Sequence, residues 1–491
     1  MGLIFIPCYI RYLGMEAYGL IGLFAIMQAW LRIFDMGMTP TLNREMARYT
    51  AGVHSPQSIH DILHSLEILC FCLAILINIT GWTSSEYLAN HWLKSERLSA
   101  TVVSRVISVM VLVASLRFIE GIYRGSLFGL QRQIWYNGVN SALATLRHGG
   151  AVIVLIWVSS TVQAFFLWQA FVSILSVAVF AANVHRSLPK SPLQPKFSRE
   201  SVIEVSHYAS GMLGITFLAL LLTQVDKILL SRLLSLENFG YYTLASTIAG
   251  VLYTVIGPVT QAIFPRMVED ITRGDQADLI SVYHLGAQLV TILTAPALVL
   301  LAFFTRGVVF LWSGDAVLAG NIGAVLPALV LGTFLNGLMW MPYQSQLADG
   351  WTGLAVKTNL AAVIVLVPAI FWIVPRYGAV GAAWIWVALS AGHVLVAIHF
   401  MHQRLLRAEK WRWYFSDVLA PVTGAIGVAL LAQQFVPFGY HDRLHWLVFL
   451  LITGFLALAA SVLMADRIRS QILQAGNITR MLNRLRCWSC A

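Results

Sequence analysis

The sequence has few charged residues, since Asp, Glu, Lys and Arg make up 11% of its 491 residues. Soluble globular domains average about 25%, so this scarcity excludes a soluble globular chain. Hydrophobic residues fill 58% of the chain, and its mean hydropathy is +0.75. These values are typical of a polytopic membrane protein.

Cysteine is also scarce, with five residues in the chain. Cys8, Cys70 and Cys72 lie in or beside apolar segments, where we expect them to pack as small hydrophobic residues. Cys487 and Cys490 form a C-x-x-C pair, but the further ligands that a metal site needs are not nearby. The sequence therefore predicts neither a disulfide framework nor a metal site, and no cofactor is expected.

Long polar segments are missing as well. The longest polar connections are 185–205, 264–279, 401–414 and the tail from 466. Each is too short for a folded domain, which takes about 50 residues or more. This excludes an enzyme with a large extramembrane catalytic domain, and we expect the chain not to be an enzyme.

The chain does contain apolar blocks long enough to cross a bilayer as helices, which takes about 20 residues. They are 18–41, 62–83, 101–124, 138–158, 162–184, 206–230, 239–263, 280–305, 319–347, 354–375, 378–400, 415–437 and 445–465. With the short apolar stretch at 1–10, they predict an all-α polytopic membrane protein with about 13–14 transmembrane helices.

Basic residues outnumber acidic ones by 32 to 22. If the first helix begins in the cytoplasm, 20 basic residues fall on cytoplasmic segments and 7 on outer loops. The positive-inside rule then predicts that both termini are cytoplasmic. This distribution explains the excess without nucleic acid, which is not an expected partner. The basic tail should lie against anionic lipid headgroups.

A segment near the start of the chain is repeated. RYLGMEAYGL at 11–20 and RLLSLENFGY at 232–241 align at an offset of 221, which pairs Arg11 with Arg232, Glu16 with Glu237 and Gly19 with Gly240. Both copies are predicted outer hinges, so the repeats should be parallel. We predict an N-terminal lobe at 1–200 (helices 1–6), a C-terminal lobe at 201–403 (helices 7–12), two additional helices at 404–465 and a basic cytoplasmic tail at 466–491.

The repeat also bears on the first helix. In the second copy a full span, starting near His207, precedes the hinge, whereas ten residues precede the first copy. We therefore expect helix 1 to be truncated in this sequence, with the true start codon lying upstream.

Several motifs carry a family resemblance. The first half has R-Y-L-G-x-E-x-Y-G at 11–19, W-x-x-x-x-D-x-G at 30–37 and F-G-L-Q-R at 128–132. The second half has Q-x-D-K at 224–227, F-P-R at 264–266 and Y-G-x-x-G-A-A at 377–383. Together they resemble the polysaccharide and O-antigen flippases of the multidrug/oligosaccharidyl-lipid/polysaccharide (MOP) superfamily.

The resemblance implies two pseudo-symmetric six-helix lobes around a central cavity. It implies a flippase that moves a lipid-linked oligosaccharide, usually on undecaprenyl pyrophosphate, across the bacterial inner membrane by alternating access coupled to an ion gradient. A polysaccharide polymerase and glycosyltransferases are possible partners. The shortened helix 1 departs from the family pattern.

Charges inside the apolar blocks are the candidate site, because each costs about 2.5–3.5 kcal/mol at the bilayer centre on insertion scales. Arg117, Glu120 and Arg124 are spaced i, i+3 and i+7 and so share one helix face. With Arg147 of the next span they predict a substrate-binding stripe, since guanidinium groups match phosphate oxygens. The alternatives are a structural ion pair for Arg117 and snorkelling to the interface for Arg124.

Four further residues join Glu120 as candidates for ion coupling or gating. Asp226 and Lys227 are adjacent and point about 100° apart, so Asp226 should face the cavity while Lys227 pairs with another helix. Alternatively, both reach the outer interface. Arg32 and Asp35, at i and i+3, are expected to form a salt bridge.

Two other functions remain open. One is a small-molecule antiporter of the multidrug type with the same fold. The other is a membrane-embedded glycosyltransferase or polysaccharide polymerase. The spans hold more basic than acidic residues, which favours an anionic substrate over a cationic drug. The enzyme would need a large outer loop or an acidic catalytic cluster, and the sequence has neither.

Overall fold

The computed structural model describes residues 2–35, 38–50, 52, 54–188, 194–197, 217, 220–221, 223–351, 353–436 and 443–475. The backbone of these residues is helical nearly throughout. They form two compact units, Met1–Tyr241 and Tyr242–Ala491. The lobe boundary predicted at residue 200 lies outside the described residues.

Seven helices of the described part of the first unit are numbered α1 to α7. They are α1 (Gly2–Leu13), α2 (Met15–Leu31), α3 (Met38–Thr50), α4 (Pro56–Tyr87), α5 (Ala100–Gly129), α6 (Gln133–Trp157) and α7 (Val162–Ser187). Residues 223–233 are also helical. Ser55, Ser99 and Thr161 cap α4, α5 and α7, because each side chain accepts a hydrogen bond from a backbone N–H of the first turn.

The helices that follow begin at the end of the first unit. They are Leu236–Ala249, Val251–Arg273, Gln276–Phe303, Thr305–Ser313, Ala316–Ile322, Leu326–Leu338, Trp340–Ala348, Gly353–Arg404, Lys410–Arg412, Ala420–Ala432, Arg443–Met464 and Asp466–Ala475. A π-helical turn, Trp413–Leu419, connects Lys410–Arg412 to Ala420–Ala432.

Ten described helices are long and apolar enough to cross a membrane, or eleven if the bent pair between Ala316 and Ala348 is one span. One of the ten, Gly353–Arg404, is two helices merged at Gly378, whose backbone is not helical. The prediction of an all-α polytopic membrane protein is therefore confirmed. The count is below the predicted 13–14, and the predicted span 206–230 lies largely outside the described residues.

Glycines on α5 bring α3 unusually close. Gly121, Gly125 and Gly129 recur every four residues and face α3. A Cβ at Gly125 would lie 2.4 Å from the carbonyl oxygen of Thr39, and one at Gly129 would lie 2.3 Å from that of Asn43. Small residues at this spacing let helix backbones touch in a membrane. Gly129 of the F-G-L-Q-R motif therefore lies at the close contact between α3 and α5.

The two hinge segments touch each other through their glycines. A Cβ at Gly19 would lie 2.4 Å from the carbonyl oxygen of Leu236, and a Cβ at Gly240 would lie 2.6 Å from that of Met15. Met15 and Leu236 are themselves 221 residues apart. The contact is therefore reciprocal, with each hinge glycine against the equivalent backbone position of the other hinge.

The hinge glutamates hold the loop before α5. Glu16 accepts hydrogen bonds from the backbone N–H groups of Glu96 at 2.7 Å and Arg97 at 2.9 Å. Glu237, the equivalent residue of the second hinge, lies 3.9 Å from the Arg97 guanidinium. The hinge motif therefore has a structural role in the first unit.

Candidate functional site

Arg117 lies within α5, and its guanidinium group joins three helices. Nη1 donates to Gln28 Oε1 on α2 at 2.9 Å, and Nη2 donates to Gln169 Oε1 on α7 at 3.1 Å. The guanidinium carbon also lies 5.2 Å from the centre of the Phe24 ring, within the range of a cation–π contact. Its buried Nε has no hydrogen-bond partner among the described residues.

Glu120 pairs with Arg147 of α6 rather than with an arginine of its own helix. Arg147 Nη2 lies 3.7 Å from Glu120 Oε2, and the two side chains are 12% and 13% exposed. The same Nη2 donates to Ser176 Oγ on α7 at 3.1 Å. Arg147 has no acidic residue within its own helix, and the structure provides these two partners on α5 and α7.

The group formed by Arg117, Glu120 and Arg147 has an excess of positive charge. Both arginines act electrostatically on Glu120, yet the hydrogen bonds of Arg117 go to neutral amide oxygens. Two guanidinium groups thus share one carboxylate and leave a net charge of +1. In a poorly solvated interior such a group attracts an anion and repels a cation.

The side chain of Arg124 is exposed, in contrast to this buried group. It interacts electrostatically with the Tyr136 hydroxyl and with the carboxylate of Asp35. Arg124 also attracts Glu120 over a longer range. The predicted stripe therefore splits into a buried part at Arg117 and an exposed part at Arg124.

Asp35 caps the start of α3. Its Oδ1 accepts hydrogen bonds from the backbone N–H of Thr39 at 3.1 Å and from the Thr39 hydroxyl at 2.7 Å. The predicted partner, Arg32, begins a 3₁₀ turn, but its side chain is outside the described part of the chain. The Arg32–Asp35 pair stays a prediction, and a capping role for Asp35 is added to it.

Asp226 and Lys227 contact each other, with Lys227 Nζ 3.8 Å from Asp226 Oδ1. Lys227 Nζ also donates to the carbonyl oxygen of Thr223 at 2.7 Å, within the same helical segment. The sequence predicted a partner for Lys227 on another helix. The lysine stem folds back along its own helix instead, because it is long and flexible enough to reach the preceding turn.

Sequence reasoning missed the polar residues that hold the arginines, namely Gln28, Gln169 and Ser176. Each is a neutral residue within an apolar block, and the criterion for a candidate site residue in these blocks was charge. Buried amides and hydroxyls need partners in a membrane, so neutral polar residues in spans were the available signal.

Two cavities lie in the second unit and involve none of the predicted site residues. One, of about 510 Å³, has Arg306, Gln433 and Trp446 in its wall. The other, of about 210 Å³, is lined mainly by apolar residues. The anion-attracting group described above is defined by its contacts and charge.

The predicted tail is described in part. Residues Asp466–Ala475 form a helix, and residues 476–491 with Cys487 and Cys490 lie outside the described residues. His207, near the start of the predicted span 206–230, lies outside them too.

Comparison with solved structures defines the class of protein. The fold resembles "Lipid II flippase MurJ, inward closed conformation" with a TM-score of 0.71 at 12% identity, over 96% of this chain and 98% of that chain. It also resembles an inward-facing multidrug resistance MATE family transporter of the MOP superfamily, with a TM-score of 0.64 at 15% identity, over 82% and 94% of the two chains. The chain is a polytopic membrane protein whose fold is shared with these two structures.

The sequence itself identifies the family. The model of the family described as "Polysaccharide biosynthesis protein" matches residues 1–270, more than half of the chain. The chain belongs to this polysaccharide biosynthesis protein family. A Shigella flexneri protein named "Putative O-antigen transporter" is 18% identical over 381 residues, which cover 77% of this chain and 87% of that protein. This relative is named a transporter, and the two structural neighbours are named a flippase and a transporter.

Proposed function

We propose that the protein is a flippase for an undecaprenyl-pyrophosphate-linked oligosaccharide, the repeat unit of O-antigen or another polysaccharide. It moves this substrate across the bacterial inner membrane by alternating access, driven by an ion gradient. The family, the name of the Shigella flexneri relative and the fold shared with a lipid II flippase support this proposal.

The observation that carries the proposal is the buried group of Arg117, Glu120 and Arg147. An excess of guanidinium over carboxylate in a membrane-spanning region is unfavourable unless an anion compensates it. Planar guanidinium groups bind two phosphate oxygens at once. A pyrophosphate linker, or an acidic sugar attached to it, therefore suits this group.

Arg117 can exchange its hydrogen-bond acceptors for those of a substrate. Its present hydrogen bonds go to the amide oxygens of Gln28 and Gln169, which are weaker acceptors than phosphate oxygens. An arriving pyrophosphate displaces these amides, while Glu120 keeps Arg147 oriented. Arg124, whose side chain is exposed, attracts the anion before it reaches Arg117.

The ion that drives the cycle acts on the predicted carboxylates. Glu120, Asp35 and Asp226 are the candidates, together with the basic residues Arg32 and Lys227. Two lobes, 1–200 and 201–403, rock around the substrate, and helices 404–465 are additional. Both termini face the cytoplasm, and a polysaccharide polymerase and glycosyltransferases are functional partners.

A multidrug-type antiporter is the second candidate, because the chain also shares its fold with a MATE family transporter. The excess positive charge around Arg117 argues against the cationic substrates of such a transporter, which carboxylates would bind. An embedded polymerase or glycosyltransferase lacks comparable support, since the relatives are transporters.

Complementation tests the proposal. In cells that lack the wild-type copy, R117A and R147A should each reduce surface polysaccharide about tenfold or more, since each removes a charge-assisted contact to phosphate. R105A is the matched control, because Arg105 lies on the same helix but is exposed. Immunoblots of membrane fractions check that all variants accumulate equally.

Export that survives both R117A and R147A would contradict the proposed site. Resistance to cationic drugs that depends on this protein, without a defect in polysaccharide export, would instead favour the antiporter.

A further inference from the structure

A second buried polar cluster lies in the second unit, on residues that sequence reasoning did not select. His284, on helix Gln276–Phe303, has no exposed surface. Its Nδ1 hydrogen-bonds Asp417 Oδ2, and its Nε2 lies 2.9 Å from Glu409 Oε2. Asp417 is fully buried as well. One imidazole ring thus lies between two carboxyl groups.

This geometry requires two protons. Each nitrogen–oxygen contact is a hydrogen bond only if one proton lies between the two atoms. A neutral imidazole carries one N–H, so the second contact needs either an imidazolium ring or a protonated carboxyl group. If one of the two protons leaves, a nitrogen lone pair faces a carboxylate oxygen, and that contact becomes repulsive.

The cluster joins segments that are distant in the chain. Gln288 Nε2 donates to Asp417 Oδ1 at 2.9 Å, and Gln288 Oε1 accepts from the backbone N–H of Arg467 at 3.2 Å. Arg412 Nη1 lies 3.8 Å from Glu409 Oε2. The cluster therefore connects helix Gln276–Phe303 to the segment 409–419 and to the start of helix Asp466–Ala475.

Local backbone structure also marks the site. Asp417 lies on the π-helical turn Trp413–Leu419. Such turns are rare, occur mostly as single turns within α-helices, and are frequent at functional sites. The turn interrupts the regular helix at Asp417, the residue that contacts His284. Apolar packing alone would not require such an interruption.

In the described part of the chain, the cluster is also surrounded by titratable or charged groups, namely Tyr283, His402, Lys410, Arg412, Tyr414, Asp466 and Arg467. His402 Nδ1 donates to the carbonyl oxygen of Ile398 at 2.9 Å, so its Nε2 accepts from the Tyr283 hydroxyl at 3.3 Å. That arrangement is complete with a neutral His402. The second proton is therefore needed only by the group of His284, Asp417 and Glu409.

We propose that His284, Asp417 and Glu409 form a proton-binding site. With two protons bound, the site fastens segment 409–419 to helix Gln276–Phe303. Loss of one proton releases Glu409 first, since its side chain is 19% exposed while that of Asp417 is 1% exposed. The site is independent of the proposed transport function and of the arginines in the first unit.

Hydrogen–deuterium exchange of the purified full-length protein in detergent tests the site without any substitution. Amide protection of peptides within 409–419, corrected for intrinsic exchange, should fall about tenfold or more between pH 6 and pH 9.5, because a charge-assisted hydrogen bond is lost. Peptides from α5 serve as the internal reference. Constant protection of 409–419 across this range overturns the proposal.

The variant E409Q sharpens the test. A glutamine at this position donates an amide N–H to an unprotonated Nε2, so the cluster then needs one proton instead of two. E409Q should therefore keep 409–419 protected at pH 9.5, where the wild type loses protection. A pH profile that is the same in E409Q and the wild type overturns the proposal.

E67Q is the matched control for E409Q. Glu67 Oε1 also contacts a histidine, with His185 Nε2 at 3.0 Å, but this pair lies in the first unit. E67Q should leave the pH profile of 409–419 unchanged. If E67Q abolishes the pH effect as E409Q does, the effect is a global one and the proposed site is wrong.

Discussion

Glu120 balances two buried guanidinium groups, so its charge matters for folding as well as for substrate. E120Q should destabilise the protein by about 3 kcal/mol, because breaking a buried ion pair leaves uncompensated charge. Thermal unfolding in detergent measures this loss. The double variant E120Q/R147Q should recover much of the stability, since it removes the charge that Glu120 compensates.

If the destabilisation of the double variant equalled the sum of the destabilisations of E120Q and R147Q, Glu120 and Arg147 would not interact energetically. Their separation of 3.7 Å would then reflect proximity alone.

At this scale the sequence selected three residues that the structure brings together in one buried group. Arg117, Glu120 and Arg147 stood out because a charge within an apolar block is rare. Their partners did not, because Gln28 and Gln169 are neutral and lie on other helices. The pairing of Glu120 with Arg147, rather than with its neighbours on α5, depends on how α6 packs, which spacing along one helix does not specify.

Among the helices, α3 and α5 approach closely because Gly125 has no Cβ atom. G125A should destabilise the protein by about 1–3 kcal/mol, because the added Cβ would lie 2.4 Å from the backbone carbonyl of Thr39 and the backbone must move. Thermal unfolding in detergent measures the change.

G138A is the control for this substitution. Gly138 is within α6, and a Cβ there meets nothing within 4 Å. Alanine should stabilise this helix by about 0.5–1 kcal/mol, because glycine loses more conformational entropy on folding. Destabilisation of equal size in G125A and G138A would contradict the close backbone contact.

The sequence also predicted where most helices lie, because about 20 apolar residues are both the requirement and the signal for a span. It also separated the blocks 354–375 and 378–400, and the non-helical residue Gly378 within Gly353–Arg404 lies at that boundary. It did not predict the π-helical turn Trp413–Leu419. Asp417 of this turn contacts His284 on another helix, and hydropathy carries no information about such a partner.

For the whole molecule, the distribution of basic residues predicts orientation. In a cysteine-free background, R97C should react with a membrane-impermeant maleimide added to intact cells with a permeabilised outer membrane. R407C should react only after the inner membrane is opened. Both arginines are exposed, so the two substitutions are matched in residue type and accessibility. Labelling of R407C in intact cells would reverse the predicted topology.

The repeated hinge connects sequence and structure at this scale. The offset of 221 residues was visible in the sequence, and it related Gly19 to Gly240. Only the structure shows that each glycine meets the backbone of the other hinge, at Leu236 and Met15. A contact between two segments so far apart in the chain leaves no trace in local periodicity.

By itself, the sequence determined the membrane environment, the all-helical class, the family resemblance and the buried charges that single out α5 and α6. These follow from hydropathy and from the cost of charge in hydrocarbon, which are properties of residues and short segments. The tertiary structure decided which groups pair, from Glu120 with Arg147 to His284 with Asp417 and Glu409. Pairing depends on distances between helices, and those distances follow from packing of the whole chain rather than from any one segment.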